Sequence, residues 1–233
     1  MLNSTDIKTI RSLREKKYRD SFGLFVVEGE KMVKEALSSD MRVVRIIRKD
    51  EVGEAVMSRI SALNTPPPVL AVVEKRDAPV PPEPSGLCLA LDSIRDPGNL
   101  GTILRIADWF GIDTVYASAD TVEVYNPKVI QASMGTIFRK RPVYCDLTSV
   151  CESFTSNGME VFGTFLDGDD IYSCALPSKG LIIMGNESEG VSSAVAAKVT
   201  RRLTIPSFAK GAHAESLNVA VATAVTVSEF RSR

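Results

Sequence analysis

Apolar residues at Ile7, Ile10 and Leu13 recur at a spacing of three between basic neighbours, which predicts an amphipathic helix. Phe25-Val26-Val27 reads as a strand, and Lys31 to Leu37 puts Met32, Val33, Ala36 and Leu37 on one helical stripe. Val43 to Ile47 and Val69 to Val73 read as further strands, the second fed by Pro66-Pro67-Pro68. Beyond residue 86 the alternation is clearer. Strands are predicted at Leu87–Leu91, Thr114–Ala117, Glu160–Phe165, Leu181–Met184 and Leu203–Ile205. Helices are predicted at Leu100–Phe110, Val129–Ile137, Val150–Thr155 and Ala194–Lys198, with Ser149 and Glu152 at capping-box spacing for the third. Short apolar strands separated by helices imply a mostly parallel sheet covered on both faces. Val219 to Val227 alternates like a strand, yet its alanines suit a closely packed helix; its length through Phe230 tips the reading toward helix.

Residues 76–86 carry four prolines, which remove backbone donors and fix φ, so they read as a stiff linker. The expected organisation is a small α/β unit at 1–75, this linker, and a parallel α/β unit at 87–233.

Of the 233 residues, 28 are basic and 29 acidic, a net charge of −1 that speaks weakly against a nucleic-acid partner. The average hides a basic stretch. Lys8, Arg11, Arg14, Lys16, Lys17 and Arg19 stand against the single acid Glu15, and Arg139-Lys140-Arg141 forms a second cluster. The single histidine, His213, rules out a multi-histidine metal site and leaves a Ser-His-Asp mechanism resting on one ring. The four cysteines, at 88, 145, 151 and 174, have no CxxC spacing and read as buried reduced thiols. The first residues lack the apolar core of a secretory signal, and no apolar run approaches the roughly 20 residues that span a bilayer. A soluble, cytoplasmic protein without a metal is expected.

No GxGxxG follows a strand. Gly185 to Gly190 has the spacing of a phosphate-binding loop but is followed by Val191 where lysine is required. Asp167-Gly168-Asp169-Asp170 reads as an exposed acidic turn. Three polar loops remain, each after a predicted strand of the second unit, where ligands bind in open α/β sheets. They are Asp92 to Gly101 leading to Arg105, Gly185 to Gly190, and Pro206 to Asn218. Taken alone, Asp96-Pro97-Gly98-Asn99 is a turn and Arg105 a surface charge.

Together the loops resemble the SpoU (TrmH-type) RNA ribose 2′-O-methyltransferases of the SPOUT superfamily. The likeness lies in Asn99-x-Gly101-x-x-x-Arg105, Gly185-Asn186-Glu187-x-x-Gly190, and Ile205-Pro206 with Ser216-Leu217-Asn218-Val219. Lys16-Lys17-Tyr18-Arg19 and Phe25 to Lys31 resemble the family's N-terminal substrate-binding domain. One departure is the long interval from Pro206 to Ser216, with Ser207 where methionine is usual; it contains His213, which receives no family role.

The resemblance implies a SPOUT-type parallel sheet with a trefoil knot, preceded by a small α/β substrate-binding domain. It implies S-adenosylmethionine as cofactor, rRNA or tRNA as partner, and a homodimer formed through the C-terminal unit. Thr164, Gly185, Asn186, Ile205 and Leu217 would hold the cofactor. Asn99, Glu187, Ser216 and Asn218 would orient the loops around Arg105, the residue expected to carry catalysis. Lys8, Arg11, Arg14, Lys16, Lys17 and Arg19 would meet RNA phosphates. The alternative is a non-catalytic RNA-binding protein on the same fold.

Overall fold

The computed structural model of the chain describes residues 2–77, 79–211 and 214–232. In chain order the first elements are α1 (Ser4–Ser12), α2 (Lys16–Phe22), β1 (Leu24–Glu28), α3 (Glu30–Ser38), β2 (Val43–Arg48), α4 (Lys49–Val52), α5 (Glu54–Ile60) and β3 (Val69–Glu74). The rest are β4 (Leu87–Leu91), α6 (Pro97–Trp109), β5 (Val115–Ala117), α7 (Pro127–Ser133), β6 (Val143–Tyr144), α8 (Leu147–Ser156), β7 (Val161–Asp170), β8 (Gly180–Met184), α9 (Ser193–Ala196), β9 (Arg201–Thr204) and α10 (Val219–Arg231). They form two compact units, Met1–Asp77 with Glu123–Arg139, and Ala78–Val122 with Lys140–Arg233.

The first unit is an antiparallel sheet of order β1-β3-β2. Strand side chains alternate between faces. Ile47, Leu70 and Val72 meet Ile7, Ile10 and Leu13 from the α1 side and Met57 and Ile60 of α5. Phe25, Val27, Ala71 and Val73, also buried, point to the other face, where α3 and α7 pack. Leu37, expected on the buried stripe of α3, is 55 % exposed.

Segment 123–139 thus belongs to the first unit, although it lies between β5 and β6 of the second in sequence. Tyr125 packs tilted against Phe25, ring centroids 4.6 Å apart, and the Gln131 side chain donates to the Glu28 carbonyl at 3.3 Å. The expected helix 129–137 is interrupted. It ends at Ser133, Met134 turns left-handed (φ 52°), and Gly135 (φ 97°) leads into a 3₁₀ turn over Thr136–Phe138. A side chain at Gly135 would lie 2.7 Å from Glu35 Cγ, so glycine there answers both a positive φ and a close approach.

The second unit is a wholly parallel sheet of order β6-β5-β4-β8-β7-β9. Cys88, Ala90, Tyr116, Leu181 and Ile183 pack against α8 and α9. On the opposite face lie α6 and α10, with Phe230 of α10 edge-on to Phe162 at 5.0 Å. All the strands point the same way, so the loops after β4, β8, β7 and β9, four neighbours in the sheet, gather at one edge.

Two local expectations are corrected. Asp167 to Asp170 are not a turn but the exposed end of β7, extended beside β9 after a register shift between Thr164 and Asp169. The cap of α8 is Asp146, not Ser149; its carboxylate accepts from the Thr148 and Ser149 backbone N–H groups and both hydroxyls, which lowers its pKa to about 2. All four cysteines are free thiols, and burial raises those of Cys88, Cys145 and Cys151.

Candidate active site

The edge loops are stitched together by side-chain amides and one carboxylate. Asp96 caps α6, its carboxylate accepting the Asn99 N–H at 2.8 Å, with Pro97 at the first helical position. Asp96-Pro97-Gly98-Asn99 is therefore a helix start rather than a free turn. It turns Asn99 inward, where the residue is buried. The Asn99 amide donates to Glu187 Oε1 at 2.9 Å, and its carbonyl oxygen accepts from Asn218 Nδ2 at 2.9 Å. Residues 99, 187 and 218, from the first turn of α6, the loop after β8 and the cap of α10, thus form one chain of hydrogen bonds.

Glu187 also accepts from the Asp96 N–H at 3.2 Å and the Arg95 N–H at 3.4 Å. Burial raises its carboxyl, but the bonds from Asn99 and the backbone outweigh this and hold it below the ordinary value. It is an anion at neutral pH, and the stability its charge contributes is present above about 4.5 and lost as pH falls through the lowered value.

Asn186 fixes the loop that carries Glu187. Its carbonyl oxygen accepts from the Ser188 and Glu189 N–H groups at 2.9 and 3.0 Å, and its backbone pairs with Gly190. At Gly185 the chain passes so close to itself that an added Cβ would lie 2.3 Å from Gly190 C and Val191 N. Asn218 caps α10, accepting from the Ala220 and Val221 N–H groups. Thr164 donates to the Ile183 carbonyl at 2.9 Å, tying β7 to the end of β8. Ile205, just past β9, is half-buried, while Ser216 and Leu217 are exposed. His213 lies outside the described residues.

Arg105 lies on α6, six residues beyond Asn99. It is exposed, and among the described residues no hydrogen-bond acceptor or carboxylate engages its guanidinium.

The basic stretch of the first unit is not uniform. Lys8 and Arg11 are exposed on α1. Lys16 and Lys17 are exposed and paired with Asp20 (2.6 Å) and Glu15 (3.1 Å). Arg14 donates to the carbonyls of Ser61 and, at 3.4 Å, Arg59. Arg19 is a correction: it is 2 % exposed and donates inward to Glu123 at 2.5 Å and to the carbonyls of Leu13 and Arg14, so it cannot offer its charge to a phosphate. The second cluster is dispersed too, with Arg139 paired to Glu35 (2.6 Å) and Lys140 donating to the Ile112 carbonyl. Among the described residues, no group of three or more His, Cys, Asp or Glu side chains is placed to hold a metal ion.

A parallel sheet covered on both faces, with polar loops joined at the carboxyl edge of its strands, defines a doubly wound α/β protein, a class that binds its ligands at that edge. Comparison with known proteins is more specific. Residues 86–228 match the SpoU rRNA Methylase family, and residues 4–54 match the MRM3-like substrate binding domain. The chain belongs to the SpoU rRNA methylase family.

It is 32 % identical over 241 residues to the 23S rRNA (guanosine(2553)-2′-O)-methyltransferase RlmP of Bacillus subtilis, spanning 97 % of this chain and 95 % of that one. A candidate TrmH-family RNA methyltransferase from Porphyromonas gingivalis shares the fold with TM-score 0.87 and 41 % identity, covering 100 % of this chain and 99 % of the other. An AdoMet-bound rRNA methyltransferase from Sinorhizobium meliloti aligns with TM-score 0.86 and 29 % identity, over 100 % and 97 % of the two chains.

Proposed function

We propose that this protein transfers a methyl group from S-adenosylmethionine to a ribose 2′-hydroxyl of ribosomal RNA. The observation that carries the reading is the hydrogen-bonded chain Asn218–Asn99–Glu187, which joins the edge loops at the start of α6, the helix that also bears Arg105. Family membership and rRNA 2′-O-methyltransferase relatives support it.

The loops suit S-adenosylmethionine. Half-buried Ile205 and exposed Leu217 offer apolar walls for an adenine ring, the loop backbone offers groups for its polar edge, and Gly185 keeps side chains out of the bend. We assign Thr164, Gly185, Asn186, Ile205 and Leu217 to holding it. When bound, this cofactor supplies an electrophilic methyl on a sulfonium.

The chain's own residues then have two tasks. Asn99, Glu187, Ser216 and Asn218 fix the loops so that the reacting groups meet in line. Arg105 grips a phosphate of the target nucleotide and stabilises negative charge at the ribose oxygen. A guanidinium is a poor base, so the role assigned to Arg105 is charge stabilisation, and the proton of the 2′-hydroxyl passes to solvent water as its oxygen takes the methyl. The decisive experiment incubates the protein with ribosomal RNA and methyl-labelled S-adenosylmethionine, digests the RNA and identifies the labelled nucleoside. A 2′-O-methyl nucleoside is expected; label on a base would overturn the reading.

RNA meets Lys8, Arg11, Arg14, Lys16 and Lys17 of the first unit. Exposed ion pairs are weak, so the partners of Lys16 and Lys17 yield readily to a phosphate. RNA affinity is expected to fall by about tenfold or more between 50 and 200 mM salt, as the release of several counterions requires. Lys8→Glu with Arg11→Glu should weaken RNA binding while leaving cofactor affinity unchanged. A salt-insensitive complex would contradict this.

Two copies associate through α6 and α10 of the second unit. Helix α10 is apolar almost all round yet leaves Val221 51 % exposed, and α6 ends on Trp109, 86 % exposed. Apolar surface of this kind calls for a cover. Light scattering is expected to give a dimer mass for the protein and a lower mass for Val221→Glu; a monomeric parent protein would refute the association. Among the described residues, no helix is long and apolar enough to cross a membrane. Action on ribosomal RNA and four free thiols favour the cytoplasm.

A further inference from the structure

Ser93, in the loop after β4, has φ 59°, in the left-handed region that favours glycine. Only Met134 shares this feature among the described non-glycine residues, and Met134 ends a helix. Ser93 ends none, so its neighbours must hold it.

They do so through every polar group it has. Its N–H donates to Ser118 Oγ at 2.8 Å, its hydroxyl donates to Asp120 Oδ2, and Ser118 Oγ donates to Asp120 Oδ1 at 2.7 Å. The loop after β5 grips the next residue as well: the Ile94 N–H donates to Thr121 Oγ1 at 3.2 Å, and the Ile94 carbonyl accepts the Val122 N–H at 2.8 Å. The remaining group, the Ser93 carbonyl, accepts from Asn186 Nδ2 at 2.7 Å. Asn186 is the side chain that closes the loop bearing Glu187, and Glu187 holds Asn99.

We propose that Ser93 and Asp120 are positioning residues. Asp120, with Ser118, holds the Ser93 backbone in its disfavoured conformation, so that the Ser93 carbonyl fixes Asn186 and thereby the loop that presents Glu187 to Asn99. The proposal rests on the methyl-transfer reading for its functional meaning. Its geometry extends the site to the loop after β5, which supplies no group to the chain of Asn218, Asn99 and Glu187. The charge state agrees. The Ser93 and Ser118 hydroxyls hold the Asp120 carboxyl below the usual range, so it accepts from both at neutral pH.

The test compares Asp120→Ala, Asp120→Ala with Ser93→Gly, and the parent protein, all with melting temperatures recorded. Asp120→Ala is expected to lower kcat for methyl transfer by about tenfold or more, since small displacements at a reacting centre have large effects. The KM for RNA should stay within about twofold, and the Kd for S-adenosylmethionine, which Asn186 helps to hold, should rise by less than kcat falls. Amide exchange at Ser188 and Glu189 should rise, while Leu181 to Met184 of β8 stay protected.

Glycine adopts the left-handed conformation unaided, so Ser93→Gly added to Asp120→Ala should return kcat most of the way to that of the parent protein. A merely structural Asp120 would show no such rescue. An unchanged kcat in Asp120→Ala, unchanged exchange at 188–189, or failure of Ser93→Gly to restore activity would each overturn the proposal. Should Asp120→Ala not fold, Ser118→Ala is read by the same criteria. If the parent protein methylates no ribose, the methyl-transfer reading fails by itself, and the exchange measurement still decides whether Asp120 fixes the loop.

Discussion

Arg105→Ala is expected to reduce methyl transfer by about a hundredfold or more, the usual effect of deleting a donor aimed at developing charge. The melting temperature should barely move. Arg105 is exposed and engages no acceptor among the described residues, so its removal breaks no fold contact. S-adenosylmethionine affinity, measured by calorimetry, should hold within about twofold. Arg105→Lys should fall between, since an ammonium keeps the charge but not the planar fork that matches a phosphate. Near-wild-type turnover in the alanine variant would exclude both the phosphate grip and the charge-stabilising role. Asn99→Ala makes a useful contrast. It strips partners from Glu187 and Asn218 together, so it should disturb cofactor binding and stability as well as rate. The two variants separate a residue that acts on substrate from one that assembles the loops.

The sheet of the second unit was largely legible from sequence because its strands are buried on both faces. Leu87 to Leu91 and Leu181 to Met184 read as unbroken apolar runs, and both are strands. Helix α10 was ambiguous for a different reason: its valines alternate with alanine and threonine as in a strand, while those small residues suit a closely packed helix equally well. The short strand β6 gave too little pattern to detect.

The candidate site was legible only as three polar loops in a resembling order. What joins them was not. Nothing in the spacing of Asn99, Glu187 and Asn218 indicates which amide donates to which oxygen. Ser93 gave no signal at all, because its left-handed backbone is set by hydroxyls and a carboxylate 25 to 27 residues away. Arg19 misled for the opposite reason. In the one-dimensional pattern it sits in a basic run beside Lys16 and Lys17, and only the fold turns it inward.

That inward turn carries the second large expectation. Glu123→Ala should destabilise the first unit by about 3–5 kcal/mol, because it leaves a buried guanidinium facing only carbonyls. The Arg19 side chain is 3 % exposed, and Glu123 is the carboxylate it meets, at 2.5 Å. Its Nε already lacks a partner. Lys75 shares Glu123 at 3.3 Å and Asp20 as well, so among the described residues Lys75 keeps one anion when Glu123 is lost and Arg19 keeps none. In a chain of this length such a loss lowers the melting temperature by roughly 10 °C. The effect should be concentrated where Glu123 anchors its segment, so amide exchange in α7 should rise more than in β4 or β8. Charge and volume can be separated by Arg19→Met with Glu123→Leu, which removes both ions and fills the space with apolar atoms. This pair should recover most of the lost stability, since a buried ion pair contributes little beyond an apolar pair of its size while a broken one is penalised heavily. A melting temperature unchanged in Glu123→Ala would mean that Arg19 finds its compensation elsewhere and that the other contacts of segment 123–139, Tyr125 against Phe25, Gln131 to Glu28 and Arg139 to Glu35, suffice to hold it to the first unit.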